Sequence, residues 1–378
     1  MCGYFPPSIG GTQTYVSNLC LSLSKLGQEV DVLTMNTDNA CAIEQIHGVD
    51  VTRCKVNLRL YKALFSCEFA KSMLRAQGYD ILHIHLPFHY GCEVALLAAK
   101  LNNIPIIATH HGPRPVRYGF FYGVIFGSYY HFFYQVESRM IERLIFLSSS
   151  FPASQNLPSW LRKRIMIVKP AVNTEFFSPQ KSGANIRARL GLSKKHKVVL
   201  FVGQLSRSLR FKGVEQLIEA CKTLTSRHPD IRLLIVGGGD LLPEIQNFTK
   251  KIGADRCTIF AGFVSQDELP YYYSSCDIFV LPSLGDSLGL VVLEAMASGK
   301  PVIVTDIPGV RETVIDGRTG LTVPSGDSKS LKEAISLLLE NEELRKDIAK
   351  NALSSVRTRS WENVAKEVLN VYDEVLKE

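Results

Sequence analysis

The chain has 378 residues, 46% of them hydrophobic and 21% charged, with a formal net charge of +7. These are the values of an ordinary globular chain long enough for two domains. No apolar run reaches the ~18 residues of a membrane span, no leader-like segment is visible and the basic residues are dispersed, so an embedded protein and a nucleic-acid binder are both disfavoured and the cytoplasm is the default compartment.

In chain order, Pro6-Pro7 and Gly10-Gly11 precede a helix expected to begin near Thr12. Short β-branched runs then alternate with helical patterns. The strands expected in the first half are 29–34, 49–56, 80–86, 105–111, 143–149 and 164–170. Residues 114–140 are rich in Phe, Tyr and Arg. That stretch is compatible with a helix lying in a membrane interface and equally with a buried core helix. "KPAVNTEFFSPQKSGAN" lacks periodicity and reads as a linker. The strand–helix pattern restarts near 180, with strands expected at 197–203, 231–237, 257–264, 278–283, 301–305 and 320–324. Residues 360–378 form an amphipathic helix with Trp361, Val364, Val368, Leu369 and Tyr372 on its apolar side. Apolar strands separated by helices imply two α/β domains with doubly wound parallel sheets, 1–175 and 180–358. Ligands bind such sheets at the carboxyl ends of their strands, which places the expected site in a cleft between facing domains. The helix 359–378 is expected to pack back on the first domain. The nine cysteines, with no C-x-x-C spacing, read as free thiols.

"SLGDSLGLVVLEAMASGKPVI", Ser283 to Ile303, supports two readings. Gly285-Asp286-Ser287-Leu288-Gly289 fits the nucleophile turn G-x-S-x-G of serine hydrolases. That fold needs a histidine after the serine, and all nine histidines precede Ser287. The second reading uses Asp286 and Glu294 as acceptors for sugar hydroxyls. Between them Gly289 opens a helix, and the backbone N–H groups of Leu290 and Val291 form its N-terminus, a site suited to phosphate. A nucleotide diphosphate sugar needs both kinds of group.

The motif Asp286-Ser287-Leu288-Gly289…Glu294…Gly299…Pro301-Val302-Ile303 closely resembles that of the retaining GT-B nucleotide-sugar glycosyltransferases of family 4. The resemblance extends over nearly the whole chain, through "YFPPSIGGTQTYVSNLCLSLSKLGQEVDVLT", "THHG", "VVLFVGQLSRSLRFKGVEQLIEA", "IFAGFVSQDELPYYYSSCDIFVLPS" and "PGVRETVIDGRTGLTVPSGD". It implies a GT-B fold of two Rossmann-like domains. It also implies transfer of a hexose-type sugar, with retention, from a nucleotide diphosphate donor to a hydroxyl acceptor. The expected acceptor is a glycolipid, lipid-linked or polysaccharide precursor of the cell envelope. No metal or cofactor is expected, and peripheral contact with the inner face of the plasma membrane is.

By this resemblance His111 and Asp286 are the catalytic candidates, with His111 beside the reacting sugar carbon. Donor binding falls to Gly10, Gly11, Lys212, Val264, Ser287, Leu288, Gly289, Leu290, Val291 and Glu294, and acceptor contact to Gln13. Glu312 is a weaker donor-loop candidate. The family's lysine, here Lys212, acts with a preceding arginine, but its usual G-R-L reads Gly203-Gln204-Leu205. Arg207 and Arg210 both remain as replacements. Gly237-Gly238-Gly239 lacks dinucleotide-binding spacing. His83 and His85, alternating along a strand, are read as structural. A hydrolase using Ser287, a sugar-processing epimerase and an inactive sugar-nucleotide-binding protein stand as alternatives. Finally, only Met1–Phe5 precede Pro6-Pro7, too few for the central strand that such a domain normally begins with. The expectation is a truncated start and an open groove between two strand edges.

Overall fold

The computed structural model describes every residue except 61–62, 113–127, 129–131, 133–134, 155–156 and 286–288. The chain divides into two compact units. The amino unit comprises Met1–Pro170 together with Trp361–Glu378, and the carboxyl unit comprises Ala171–Ser360.

The amino unit contains α1 (Gly11–Lys25), β1 (Asp31–Asn36), β2 (Ile43–Ile46), β3 (Val49–Lys55), β4 (Leu58–Leu60) and β5 (Ala63–Phe65). It continues with α2 (Cys67–Leu74), β6 (Leu82–Leu86), α3 (Gly91–Asn102), β7 (Ile106–His110), β8 (Arg143–Phe146), α4 (Ser150–Ala153), α5 (Ser159–Arg162) and β9 (Ile165–Ile167). Its strands form a three-stranded sheet in the order β1-β3-β2, a parallel four-stranded sheet β6-β7-β8-β9 and the small hairpin β4-β5. Met1 and Cys2 bridge the two larger sheets. The Met1 amino group donates to the His83 carbonyl at 2.7 Å, His85 N–H donates to the Met1 carbonyl at 2.9 Å, and Cys2 N–H donates to the Leu33 carbonyl at 3.4 Å. Side chains follow suit. Cys2 and Phe5 enter one apolar cluster with Val16, Val32 and Val51, while Met1 and Tyr4 pack against the other. Met1 and Cys2 thus occupy the seam between the two sheets, where an open groove was expected.

The carboxyl unit contains α6 (Ala184–Arg189), β10 (Lys197–Val202), α7 (Val214–Leu224), β11 (Ile231–Val236), α8 (Leu242–Lys251), β12 (Thr258–Gly262), α9 (Leu269–Ser275), β13 (Ile278–Leu281) and α10 (Leu290–Ala297). It closes with β14 (Val302–Thr305), β15 (Leu321–Val323), α11 (Ser328–Glu340) and α12 (Glu342–Val356). Its sheet is continuous, six parallel strands in the order β12-β11-β10-β13-β14-β15. "KVVLFV" in β10 is apolar at nearly every position because helices cover both faces of a parallel sheet. Asp327 and Asn341 cap α11 and α12 by accepting from backbone N–H groups two or three residues on.

The last helix, α13 (Trp361–Lys377), returns to the amino unit and packs along α1. Trp361, Val364, Ala365, Val368, Val371 and Val375 form its buried stripe, at the spacing of an amphipathic helix. Among the described residues, no helix is long and apolar enough to cross a membrane.

Candidate active site

In the carboxyl unit, residues far apart in sequence meet where β10, β13 and β14 end. β10 leads into a 3₁₀ turn, Arg207–Lys212, and Gly213 then opens α7 with φ +71°. A Cβ on Gly213 would lie 2.0 Å from the Pro282 carbonyl oxygen, so only glycine allows this approach. The contact places the turn beside the chain leaving β13. The Phe211 carbonyl accepts from Leu284 N–H at 2.6 Å and from Ser283 Oγ at 3.3 Å. Thr305 Oγ1, at the end of β14, donates to the Ser283 carbonyl. Lys212 is thus tied to the segment that carries the carboxylate motif.

Asp286, Ser287 and Leu288 lie outside the described residues. Immediately after them Gly289 caps α10 with φ +68°, and a Cβ there would approach Leu281 Cδ2 to 2.9 Å. Leu290 and Val291 are the first two residues of the helix, ahead of its first internal backbone bonds. Glu294, in the second turn, is 6% exposed. Its Oε2 accepts from the Tyr273 hydroxyl at 2.7 Å. Burial pushes the Glu294 carboxyl up to about 7, and the Tyr273 hydrogen bond opposes that rise by favouring the ionised form.

The two arginine candidates differ. Arg210 is held by Glu215 at 2.6 Å and by Glu244 at 2.7 Å, and these carboxylates raise its guanidinium. Arg207 approaches Glu244 only at 4.0 Å, and its side chain is 70% exposed. Its backbone N–H donates to Asp240. Gly237-Gly238-Gly239 has a packing role that sequence reading missed. Gly237 and Gly239 carry φ +146° and +144°, and a Cβ on either would meet the carbonyl of Gly203 at 1.9 Å or of Leu205 at 2.2 Å. Val264 is half-buried in the loop after β12, and Glu312 is half-buried in the 3₁₀ turn Val310–Glu312.

In the amino unit, Gly10 precedes α1 and Gly11 begins it. The Gln13 side chain folds back over Gly10, within 2.5 Å of where a Cβ would sit, whereas a Cβ on Gly11 would meet nothing within 4 Å. His111 follows β7 and is buried. Its Nε2 lies 2.9 Å from His85 Nδ1, and the Tyr15 ring meets it edge-on with centroids 4.8 Å apart. His83 stacks on His85 and hydrogen-bonds Tyr372 of α13 at 2.7 Å and Thr109 at 2.8 Å. Burial lowers His83 and His111 to about 3, and His85 well below its ordinary value. All three rings are therefore neutral at physiological pH, and one ring of the His85–His111 pair must donate while the other accepts. The stretch 114–140 falls largely outside the described residues.

Two Rossmann-like units, the carboxyl one opening helices through Gly213 and Gly289 beyond its strand ends and the amino one opening α1 at Gly10-Gly11, have the architecture of the GT-B class of glycosyltransferases. Residues 9–176 match the model of Glycosyltransferase Family 4, and residues 183–355 match that of Glycosyl transferases group 1. A D-inositol 3-phosphate glycosyltransferase of Corynebacterium urealyticum is 30% identical, over 96% of this chain and 90% of its own. Among solved structures, a sucrose-phosphate synthase of Thermosynechococcus elongatus has a TM-score of 0.78 at 25% identity, covering 97% of this chain and 94% of its own. HepE of Anabaena, solved in complex with UDP-glucose, has a TM-score of 0.77 at 19% identity, covering 99% and 98%. The chain belongs to the GT-B glycosyltransferases, with a family-4 amino half and a group-1 carboxyl half. Membership of this family leaves the hydrolase reading of Ser287 without support.

Proposed function

We propose that this glycosyltransferase takes its sugar from a nucleotide diphosphate donor held by the carboxyl unit and passes it, with retention, to a hydroxyl acceptor bound by the amino unit. The observation that carries the reading is the tie at the Phe211 carbonyl. It brings Lys212 to the loop that ends in the α10 N-terminus, one turn before the buried Glu294. A cation and helix amides suit the leaving diphosphate, whose charge grows in the transition state, and a carboxylate suits a donor hydroxyl. In this reading Lys212 and the amides take the charge-neutralising role and no metal is invoked. Arg207 is the better second cation, because Arg210 is already engaged by two carboxylates. Asp286 and Glu294 contact donor hydroxyls, with Val264 at the donor loop. His111 lies beside the reacting carbon, where a neutral imidazole can donate or accept a hydrogen bond, and Gln13 faces the acceptor.

The relative from Corynebacterium urealyticum bears an acceptor name that is a phosphorylated polyol. Phosphorylated polyols therefore join lipid-linked and polysaccharide precursors as acceptor classes for this chain. The chain's excess of positive charge suits all of these, and a cytoplasmic enzyme touching an anionic membrane surface fits the same balance. The test is a thermal-shift panel of UDP-, GDP- and ADP-sugars, followed by product analysis for anomeric configuration with the donor that stabilises most. Stabilisation by one nucleotide class, abolished in Lys212→Ala, supports the reading. Equal melting with every nucleotide, and no transfer to any acceptor class, overturns it.

A further inference from the structure

We propose that Tyr273 is a positioning residue for Glu294: its hydroxyl holds one carboxylate oxygen, so that the second is presented to a donor hydroxyl. This rests on the donor role proposed above for Glu294. The two residues lie on adjacent packed helices, α9 and α10, and both are buried. The Tyr273 ring is wedged between Phe177, edge-on with centroids 5.7 Å apart, and Phe279 at 5.7 Å. Core packing therefore fixes the direction of its hydroxyl. A glutamate side chain on a helix has three rotatable bonds. Left alone it samples several orientations, and ordering it on binding weakens affinity. The 2.7 Å bond to Oε2 removes that freedom before a donor arrives and leaves Oε1 outside the bond.

The same bond also acts on charge, against the larger effect of burial. Burial favours the neutral acid, which is a poorer acceptor, and a hydroxyl donating to the carboxylate favours the ionised form. Other titratable groups near α10 are few. α9 carries Tyr271, Tyr272 and Tyr273, of which Tyr272 accepts from Arg189 and Tyr271 is exposed, and Cys276 follows it, its thiol raised by burial. β13 and β14 present only apolar residues and Thr305. The buried positions of α12 are Ile348, Ala352 and Val356. The Lys300 ammonium, just beyond α10, donates to the carbonyls of Ser274 and Cys276. Among the described residues, Tyr273 is the side chain whose hydrogen bond counters the burial of Glu294.

The experiment compares the full-length parent with Tyr273→Phe, Glu294→Gln and the double variant. UDP-glucose is the first donor probe, or the nucleotide sugar that stabilises the parent most in the panel. Donor KM and kcat are measured from about pH 6 to about pH 9, with donor binding by calorimetry in parallel. The expected result is that Tyr273→Phe raises donor KM roughly tenfold near neutrality and changes kcat much less, as loss of a hydrogen bond to a charged group predicts. The deficit should shrink toward high pH, where Glu294 ionises without help. The double variant should be no worse than Glu294→Gln alone, because the two changes remove one coupled interaction. A Tyr273→Phe deficit that is constant across pH, or effects that multiply in the double variant, would reduce Tyr273 to a packing residue and overturn the proposal. A Glu294→Gln variant equal to the parent would instead remove the donor role of Glu294 itself.

Discussion

The two units solve the same architectural problem differently. The carboxyl unit lays down six parallel strands without a break, and its loops are locked by glycines against neighbouring carbonyls. The amino unit is built from two sheets that meet at a seam held by Met1 and Cys2. Their buried titratable groups differ in character too. The carboxyl unit buries an acid, Glu294, while the amino unit buries a row of bases, His83, His85 and His111. One unit depends on continuous main-chain pairing. The other joins two sheets through a few main-chain hydrogen bonds at Met1 and Cys2, backed by the side chains of Cys2 and Phe5.

The largest expected effect is an opposite response to pH. Histidines lowered from 6.5 to about 3 contribute stability above pH 6.5 that is lost as pH falls toward 3. Glu294, raised from 4.5 to about 7, contributes stability that is full below pH 4.5 and lost as pH rises through 7. Going from about pH 7.5 to about pH 5 should weaken the amino unit by on the order of 2 kcal/mol per histidine. Glu137, a buried amino-unit carboxyl raised to about 7, offsets part of that loss. The same change should strengthen the carboxyl unit by on the order of 2 kcal/mol. Hydrogen exchange resolved by unit at the two pH values checks this. Earlier loss of protection in the carboxyl unit on acidification would break the comparison.

Replacing Gly213 by Val should cost the carboxyl unit about 2–4 kcal/mol, because the new side chain meets the Pro282 carbonyl at a positive φ. Both tryptophans, Trp160 and Trp361, belong to the amino unit. Denaturant unfolding followed by tryptophan fluorescence should therefore stay near the parent, while circular dichroism shows an early transition. A common shift of both signals would mean that the units unfold as one. Lys212→Ala should cost turnover about 2 kcal/mol of transition-state stabilisation and Lys212→Arg markedly less, with melting unchanged. Equal rates for Lys212→Ala and the parent would remove the phosphate assignment. The smallest effect belongs to the seam. Cys2→Pro deletes the donor to Leu33 and should shift the fluorescence transition by about 1 kcal/mol, leaving the carboxyl unit untouched.

Much of this architecture was legible in the sequence, and the exceptions have a common cause. The twelve strands expected from apolar β-branched runs all occur, most of them a residue or more shorter than read, because those runs are strands buried by helices on both sides. The missed strands are β2, β4 and β5. Ile43 at the edge and Leu58 and Leu60 in the hairpin point to solvent, so no burial pattern marks them. In the candidate site, Lys212, Gly289 and Glu294 could be picked out by local chemistry and by resemblance. Tyr273 could not, since its meaning lies in a contact across 21 residues and in ring packing that fixes its hydroxyl. The contrast between Arg207 and Arg210 was hidden likewise, because it depends on where Glu215 and Glu244 fall in space.

The return of α13 to the amino unit has a consequence for the order in which the molecule is made. The carboxyl unit is an insertion within the amino unit, lying between Pro170 and Trp361. On a ribosome, a nascent chain therefore completes the inserted unit before the residues that finish the outer one emerge. Until then His83 lacks its Tyr372 partner and the Tyr15 ring lacks Trp361 against it. Chains that stop short of α13 would carry a finished carboxyl unit beside an amino unit with apolar surface still exposed, a surface that chaperones and proteases can recognise. The part of the chain made first is thus the part that matures last.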